Sequence, residues 1–393
     1  MTTLPAAADV APPISRAAIV RSVILAIALL YVFLVGVTSM SSGIKALGKG
    51  AMDAYLGADL DPFLGLLVGI LSTTLVQSSS VTTSLVVGLV GSGQVDVSSA
   101  VPIIMGANIG TTVTNTIASL AHASRSAEFK RAFAAATCHD FFNFLAVLTL
   151  LPLELITRAT SGTGILERGS AILAEITTGA SGANYNSPLK AAFKAGVKLV
   201  KHTLEMIGLE GKALAILMII VGVVLIFASL ASIVRVMRTL VLARVERFIN
   251  RFLGSGGLVA MAVGIVATAA VQSSSITTST LVPLAGAGIV TLTQVFPITL
   301  GANLGTTLTA LLASLGASGE GALAARQIAM VHLLFNGVGI LIWYVPPRMR
   351  ALPLAGARWL SELASRSRTW AVAYVVAVFY VLPAAIFFAG RLL

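Results

Sequence analysis

Charged residues are scarce in this 393-residue chain: Lys, Arg, Asp and Glu make up 10% of it, and hydrophobic residues make up 57%. A soluble globular domain carries about 25% charged residues. This chain therefore has too little polar surface to stay folded in water. Its mean hydropathy of +0.96 agrees, and the composition predicts a membrane protein.

Cysteine is almost absent, and alternating apolar and polar residues are lacking as well. The single Cys138 excludes an internal disulfide and a thiolate pair for a metal. Without period-two alternation, the apolar stretches do not resemble the strands of an outer-membrane barrel. Membrane-crossing helices remain as the predicted architecture.

Acidic residues are outnumbered by basic ones, 15 to 26, which gives a net charge of +11. The Lys and Arg residues cluster in short loops between apolar spans. That distribution is the orientation signal of a helical membrane protein, and it argues against nucleic-acid binding.

Long apolar runs are what the sequence has in abundance. A run of roughly 20 apolar residues crosses about 30 Å of hydrocarbon as a helix. The first such run is too long for a signal peptide, and we interpret it as a retained anchor. The clearest runs are Ala18–Met40, Ala132–Leu153, Ala213–Ile233, Ile328–Val345 and Trp370–Ala389.

An internal duplication is visible in the polar residues. One constant offset aligns "VQSSS" at Gln77 with "VQSSS" at Gln272, and "GANIGTT" (106–112) with "GANLGTT" (301–307). A slightly shorter offset pairs His139 with His332 and Asn143 with Asn336. Many matches in one order indicate a duplicated chain.

The charge distribution predicts that the two halves have opposite orientations. Arg16 and Arg21 precede the first span, whereas the Arg-rich stretch 235–251 follows its counterpart. Since basic flanks stay in the cytoplasm, one span begins there and the other ends there. The lysines in 190–201 fall on the external side, where we predict an amphipathic helix.

We divide the chain into five parts by these signals. They are a disordered tail (1–15), a first transport repeat (16–156), an external loop with an amphipathic helix (157–212), a second, inverted repeat (213–346), and a cytoplasmic linker with a final transmembrane helix (347–393).

Each half also contains apolar segments whose length or polar residues do not fit a single continuous transmembrane helix. The segment 63–93 is too long for one crossing and is interrupted at Gln77, which predicts a re-entrant hairpin of two half-helices; 258–288 repeats it. The segments 101–120 and 295–315 carry GAN-x-GTT and predict discontinuous helices. The predicted fold is an all-α polytopic membrane protein with two inverted-topology repeats. Paired broken helices of this kind indicate the binding site of a secondary transporter.

The chemistry of the repeated cluster favours an anion with accompanying cations. Free helix amino ends attract anions, and hydroxyls and amides donate or accept hydrogen bonds. Between 63 and 121 the only charged residue is Asp96, and between 257 and 319 there is none. A buried anion without Lys or Arg is costly, so co-bound cations are expected, which favours cotransport.

The two motif pairs, QSSS and GAN-x-GTT, resemble those of the type II sodium–phosphate (Na/Pi) cotransporters, including bacterial members. The resemblance covers about 19–345. It implies Na⁺-driven import of inorganic phosphate by alternating access, with Na⁺ as coupling ion and no other cofactor. It also implies a multi-pass protein of the plasma (bacterial inner) membrane with a cytoplasmic N-terminus, and it leaves a homo-oligomer open.

The resemblance assigns site residues by position. The implied phosphate-binding residues are Gln77, Ser78, Ser79, Ser80, Asn108, Gln272, Ser273, Ser274, Ser275 and Asn303. The candidate Na⁺ ligands are Thr82, Thr83, Thr111, Thr112, Thr277, Thr278, Thr306 and Thr307.

Other readings stay open at this point. The serious alternative is a Na⁺-coupled carrier of another oxyanion or a dicarboxylate, and a channel is a third. An intramembrane serine hydrolase would use Ser79 or Ser274 with His139 or His332 as base, but QSSS is not the nucleophile-elbow motif. Hydroxyls in membrane helices also serve helix packing. Asp140 has no acidic counterpart, because position 333 is Leu.

The predicted opposite orientation of the halves can be tested by locating loops on the two sides of the membrane. Arg125 and Arg244 should lie on the cytoplasmic side and Gly162 outside. In a Cys138→Ser background, a single cysteine at position 162 should react with an impermeant maleimide in intact cells. Cysteines at 125 and 244 should react only after permeabilisation. External labelling at 244 would contradict the inverted arrangement.

Overall fold

The computed structural model describes residues 16–47, 60–122, 125–179, 188–252, 256–317 and 321–390. These residues form helices and turns, with no strand among them. The predicted all-α class is therefore confirmed. The predicted disordered tail 1–15 lies outside the described residues.

The helices have the following bounds: α1 Arg16–Leu47, α2 Pro62–Val76, α3 Ser79–Gly91, α4 Val97–Thr111, α5 Val113–Ser119, α6 Ser126–Ser161, α7 Ile165–Gly179, α8 Pro188–Met206, α9 Gly211–Phe252, α10 Gly257–Val271, α11 Ser274–Gly286, α12 Leu292–Ser314, α13 Gly321–Trp343, α14 Pro347–Arg366, α15 Arg368–Val376 and α16 Leu382–Gly390.

Several of these helices are long and apolar enough to cross a membrane. Within the described ranges seven spans qualify: Val20–Leu47, Val97–His122, Ser126–Ser161, Gly211–Val236, Leu292–Ser314, Gly321–Trp343 and Arg368–Ala389. The five spans expected from long apolar runs are all among them. Helices α2, α3 and α10 are apolar but shorter, as expected for half-helices.

The predicted break at Gln77 is confirmed, and Gln272 repeats it. Helix α2 ends at Val76 and α3 begins at Ser79. Helix α10 ends at Val271 and α11 begins at Ser274. Two helix pairs, α2/α3 and α10/α11, thus replace the long apolar segments.

The predicted discontinuity at GAN-x-GTT is wrong for the second copy, because α12 runs unbroken through it. In the first copy only Thr112 separates α4 from α5, and its backbone stays near helical (φ −78°, ψ −19°). The glycines of this motif permit close helix packing and do not unwind the chain. An intact helix also keeps its backbone groups hydrogen-bonded inside the membrane.

Close backbone contact through glycine recurs at equivalent positions of the two halves. An ideal Cβ on Gly106 would lie 2.0 Å from the backbone oxygen of Leu66, and one on Gly301 would lie 2.0 Å from that of Met261. Helix α4 thus packs directly on α2, and α12 packs directly on α10. Small residues allow such approach in membrane proteins. The duplication therefore extends from the sequence to the packing.

The second helix of each pair packs on the opposite half. Helix α3 contacts α12 and α13, while α11 contacts α5 and α6. Gly91 of α3 faces Ala317, and Gly286 of α11 faces Ala132. The halves therefore interlock, and the two breaks lie between them.

Helices α1 and α9 form a separate pair beside the interlocked halves. An ideal Cβ on Gly36 would lie 2.9 Å from the backbone oxygen of Gly222, so the two helices touch through their backbones. Helix α8 lies along α1, and Tyr31 Oη donates to the backbone oxygen of Ala192 at 3.0 Å. Helix α9 also lines one side of the cavity that lies between the two breaks.

The segment expected to be a linker contains helix α14, which packs on α6. Lys130 pairs with Glu362 across these two helices, and this contact lowers the pKa of the Glu362 carboxyl. The Arg368 guanidinium lies 4.1 Å from the ring centre of Phe129. The start of α6 therefore anchors the final helices.

Replacing Gly106 by Ala tests the close packing of α4 on α2. The new Cβ meets backbone rather than a flexible side chain, and overpacking costs about 1–3 kcal/mol. We expect a lower Tm in detergent and less folded protein. The matched control is Gly337→Ala in α13, where no atom lies within 4 Å of an added Cβ. Equal Tm values for the two variants would contradict this packing.

Candidate functional site

The two QSSS segments line one cavity of about 240 Å³. Helix α9 closes one side of it with apolar residues, among them Phe227 and Val234. A water molecule takes up about 30 Å³ in the liquid, so the space suffices for a small hydrated anion. The residues of the repeated motif in its wall are Gln77, Ser78, Ser79, Ser80, Gln272, Ser273, Ser274 and Ser275.

Both glutamines adopt the left-handed backbone conformation. Gln77 has φ 57° and ψ 28°, and Gln272 has φ 58° and ψ 28°. Among the described residues they are the non-glycine residues with positive φ. Their N–H groups still donate to the backbone oxygens of Thr73 (2.7 Å) and Thr268 (2.6 Å). Each glutamine therefore ends one helix and turns the chain.

The next residue caps the following helix. Ser78 and Ser273 have extended backbones, with φ −150° and −153°. Ser78 Oγ accepts from the N–H of Val81 at 3.3 Å, and Ser273 Oγ accepts from that of Ile276 at 3.4 Å. A Ser at this position is a favoured N-cap, which explains locally why α3 and α11 begin where they do.

Two helix amino ends thus converge on the cavity. The first turns of α3 and α11 carry N–H groups that have no partner within their own helices, together with the positive ends of the helix dipoles. Among the described residues that line this cavity, none has a charged side chain. These residues offer an anion neutral donors.

The two glutamine side chains differ. Gln272 Nε2 donates to the backbone oxygen of Ala269 at 2.7 Å, and Thr309 Oγ1 donates to Gln272 Oε1 at 3.2 Å. The side chain of Gln77 is exposed and makes no such bond within the described part of the chain. Of the two glutamine amides at the cavity, that of Gln272 is therefore hydrogen-bonded to the protein, and that of Gln77 is available to a ligand.

The candidate Na⁺ ligands are not among the described residues that line the cavity. Each of the eight threonine hydroxyls donates to a backbone oxygen three or four residues earlier in its helix. Their oxygens keep lone pairs for a cation. Thr82, Thr83, Thr277 and Thr278 are near the starts of α3 and α11, next to the helix ends that line the cavity.

Asn108 and Asn303 belong to a buried polar network and do not line the cavity. Asn303 Nδ2 donates to Asn143 Oδ1 (3.2 Å) and to Asn336 Oδ1 (2.8 Å). Asn143 Nδ2 donates to the backbone oxygen of Asn108 (2.7 Å), and Asn108 Oδ1 contacts His332 Nε2 (3.3 Å). The network joins α4, α6, α12 and α13, and so connects both halves.

Neither candidate catalytic base reaches a cavity serine. His139 and His332 are buried, and neither is among the residues that line the cavity. A nucleophilic serine needs a base within hydrogen-bond reach. The arrangement does not supply one for Ser79 or Ser274.

The repeat did not reveal three contacts, because they depend on which helices become neighbours in the fold. Tyr374 Oη of α15 donates to Asp140 Oδ2 at 2.7 Å. Asn115 Oδ1 accepts from Thr278 at 3.0 Å and thereby joins α5 to α11. Arg131 Nη2 donates to the backbone oxygen of Gly286 at 2.6 Å, at the carboxyl end of α11. A cation there also stabilises the helix dipole.

The left-handed conformation of Gln77 predicts an unusual order of stabilities. Gly adopts positive φ freely, whereas a residue with Cβ loses about 1–2 kcal/mol there. We expect Gln77→Gly to have a higher Tm than Gln77→Ala. Gln327 in α13 is the control, because in a regular helix Gly costs about 1 kcal/mol relative to Ala. The order should therefore reverse at 327, and the same order at both positions would refute the assigned backbone.

Known proteins match this chain along most of its length. Sheep sodium-dependent phosphate transport protein 2A is 35% identical over 428 residues, covering 92% of this chain and 67% of the sheep protein. The rat 2A protein is 34% identical, with 91% and 66% covered. The human 2B protein is 32% identical, with 93% and 64% covered. The chain thus spans about two thirds of the length of these relatives. No solved structure matches it.

The family described as Na⁺/Pi-cotransporter matches residues 32–174 and 225–356. The matched segments contain both QSSS motifs, both GAN-x-GTT motifs and the asparagine network. This is a family of transporters, not of enzymes. The chain belongs to the Na⁺/Pi-cotransporter family.

Proposed function

We propose that this protein is a sodium-coupled secondary transporter that imports inorganic phosphate across the plasma membrane by alternating access. The observation that carries the proposal is that both QSSS segments line one cavity, whose described lining residues are all uncharged. Relatives that match over most of the chain are named sodium-dependent phosphate transport proteins.

The neutral lining explains why transport would need sodium. Phosphate is negatively charged, and removing it from water is costly unless opposite charge accompanies it. The hydroxyls, amides and helix amino ends of the cavity offset only part of that cost. Sodium ions bound nearby supply the missing positive charge. By linkage, phosphate then increases the affinity for sodium by the same factor.

We assign phosphate to the eight QSSS residues of the cavity wall and sodium to the threonine oxygens behind it. Helices α3 and α11 place Thr82, Thr83, Thr277 and Thr278 one turn beyond the proposed anion site. Thr111, Thr112, Thr306 and Thr307 lie on the helices that pack on α2 and α10. Asn108 and Asn303 remain in the proposed set through the network that positions those helices.

The repeated packing supports alternating access. Equivalent glycines fix α2 on α4 and α10 on α12, and α3 and α11 each pack on the opposite half. We propose that the halves are inverted, that both helix pairs are re-entrant, and that the N-terminus is cytoplasmic. A bacterial inner membrane is the proposed location, and a homo-oligomer is compatible with this arrangement.

Purified protein in proteoliposomes should take up radiolabelled phosphate only with an inward Na⁺ gradient, because the described lining of the cavity carries no positive charge. The phosphate KM should fall as external sodium rises at constant ionic strength. Gln77→Gly should reduce uptake at least tenfold, since it keeps the turn and removes the amide. The control Gln327→Ala should transport like wild type.

Two results would count against the proposal. Equal uptake in potassium would exclude sodium coupling. Sodium-driven uptake of sulfate or succinate without phosphate uptake would favour the alternative, a carrier of another oxyanion or a dicarboxylate.

A further inference from the structure

A second cavity, of about 300 Å³, lies beside the first, between helices α1, α9, α10 and α12. We call it the lateral pocket. Its walls are almost entirely apolar. They include Val23, Ala26 and Ile27 from α1, Ile233 from α9, and Leu312 from α12.

The lateral pocket shares a wall with the proposed phosphate cavity. Leu230 and Gln272 line both spaces. An occupant of the pocket would therefore contact one of the two glutamines of the site from behind. Its position alone connects it to the transport machinery.

The pocket opens toward the hydrocarbon of the bilayer. Val23 and Ile27 at its rim are 48% and 63% exposed, and both lie in the apolar span Val20–Leu47. Exposed apolar side chains on such a span contact lipid. The surrounding medium at this rim is therefore acyl chains.

Water is a poor occupant of this space. A buried water needs two to four polar partners. The polar side chains in the pocket lining, Gln272 and Thr309, are hydrogen-bonded to each other at 3.2 Å. An apolar cavity of about 150 Å³, half this volume, stays dry and binds apolar molecules. The lateral pocket therefore suits an apolar ligand.

We propose that the lateral pocket binds an acyl chain of a membrane phospholipid, and that the bound chain keeps Gln272 paired with Thr309. The second part rests on the proposed function, because Gln272 is assigned there to phosphate. A chain packed against the Thr309–Gln272 pair shields its hydrogen bond from water. Releasing the amide toward the anion then requires the chain to shift.

Within the described residues, the first half has no equivalent of this arrangement. Thr114 occupies the position equivalent to Thr309, yet the exposed Gln77 makes no side-chain hydrogen bond to it in the described residues. Gln77 also lies outside the lining of the lateral pocket. A lipid bound in this pocket therefore acts on one glutamine only.

Photo-crosslinking tests occupancy directly. The probe is a phosphatidylcholine with a diazirine near the end of one acyl chain, in proteoliposomes of wild-type protein. Labelled peptides should include 269–272 at the carboxyl end of α10 and 309–312 of α12, which contain lining residues of the pocket. Ala26→Phe should abolish this labelling by filling the pocket from α1, and Val23→Trp should do so from the exposed rim.

The matched control is Ala28→Phe, on an exposed position of α1 outside the pocket lining; it should be labelled like wild type. Labelling confined to the outer face of α1, or unchanged by both filling variants, would overturn the proposal. This readout does not depend on transport, so it stays informative if phosphate is not the substrate.

The effect on Gln272 has its own measurement. In Ala26→Phe and Val23→Trp the pocket is filled by a side chain that cannot leave, so Gln272 should stay paired with Thr309. The phosphate KM of both variants should therefore rise about three- to tenfold, and that of Ala28→Phe should equal the wild-type value. Loss of labelling with an unchanged KM would overturn the control of Gln272 by lipid.

Discussion

A backbone that turns inside a membrane must find partners for its polar groups, and this constraint organises the whole site. At Gln77 and Gln272 the helix ends, and the first N–H groups of the next helix have no partner of their own. Hydrocarbon cannot satisfy such groups. Both breaks therefore have to face the same polar cavity, and Ser78 and Ser273 each satisfy one N–H by capping. The cavity to which we assign the anion is the place where this requirement is met.

The position of that cavity depends on close helix packing. Gly106 and Gly301 let α4 and α12 touch the backbones of α2 and α10, which fixes the first helix of each pair. The second helix of each pair is held by the opposite half. The asparagine network then connects the four helices behind the breaks. Because helices of both halves hold it, the cavity lies at the boundary between the halves. A movement of one half relative to the other would change which side of the membrane can reach the cavity.

The sequence alone predicted the helical class, the spans and both breaks, because apolar length and a repeated polar cluster are local signals. It misjudged GAN-x-GTT, since glycines that permit close packing look the same as glycines that break a helix. It also placed Asn108 and Asn303 at the cavity, although tertiary packing directs Asn108 to His332 and Asn303 to Asn143, each in the opposite half. Tyr374 and Arg131 were missed because their contacts depend on which helices become neighbours.

The interlocked arrangement of α3 and α11 restricts how the two copies can diverge. A substitution on α3 changes the packing against α12 and α13 of the other half. The residues that each copy can accept at these positions therefore depend on the other copy. Positions inside this shared contact, such as Gly91 and Gly286, keep the same residue. Other positions differ between the copies: Leu333 stands where the first half has Asp140, and Ala310 stands where it has Asn115. Asn115 binds Thr278 of the opposite half, so a contact that holds the halves together is made in one direction only, and the two copies are no longer interchangeable.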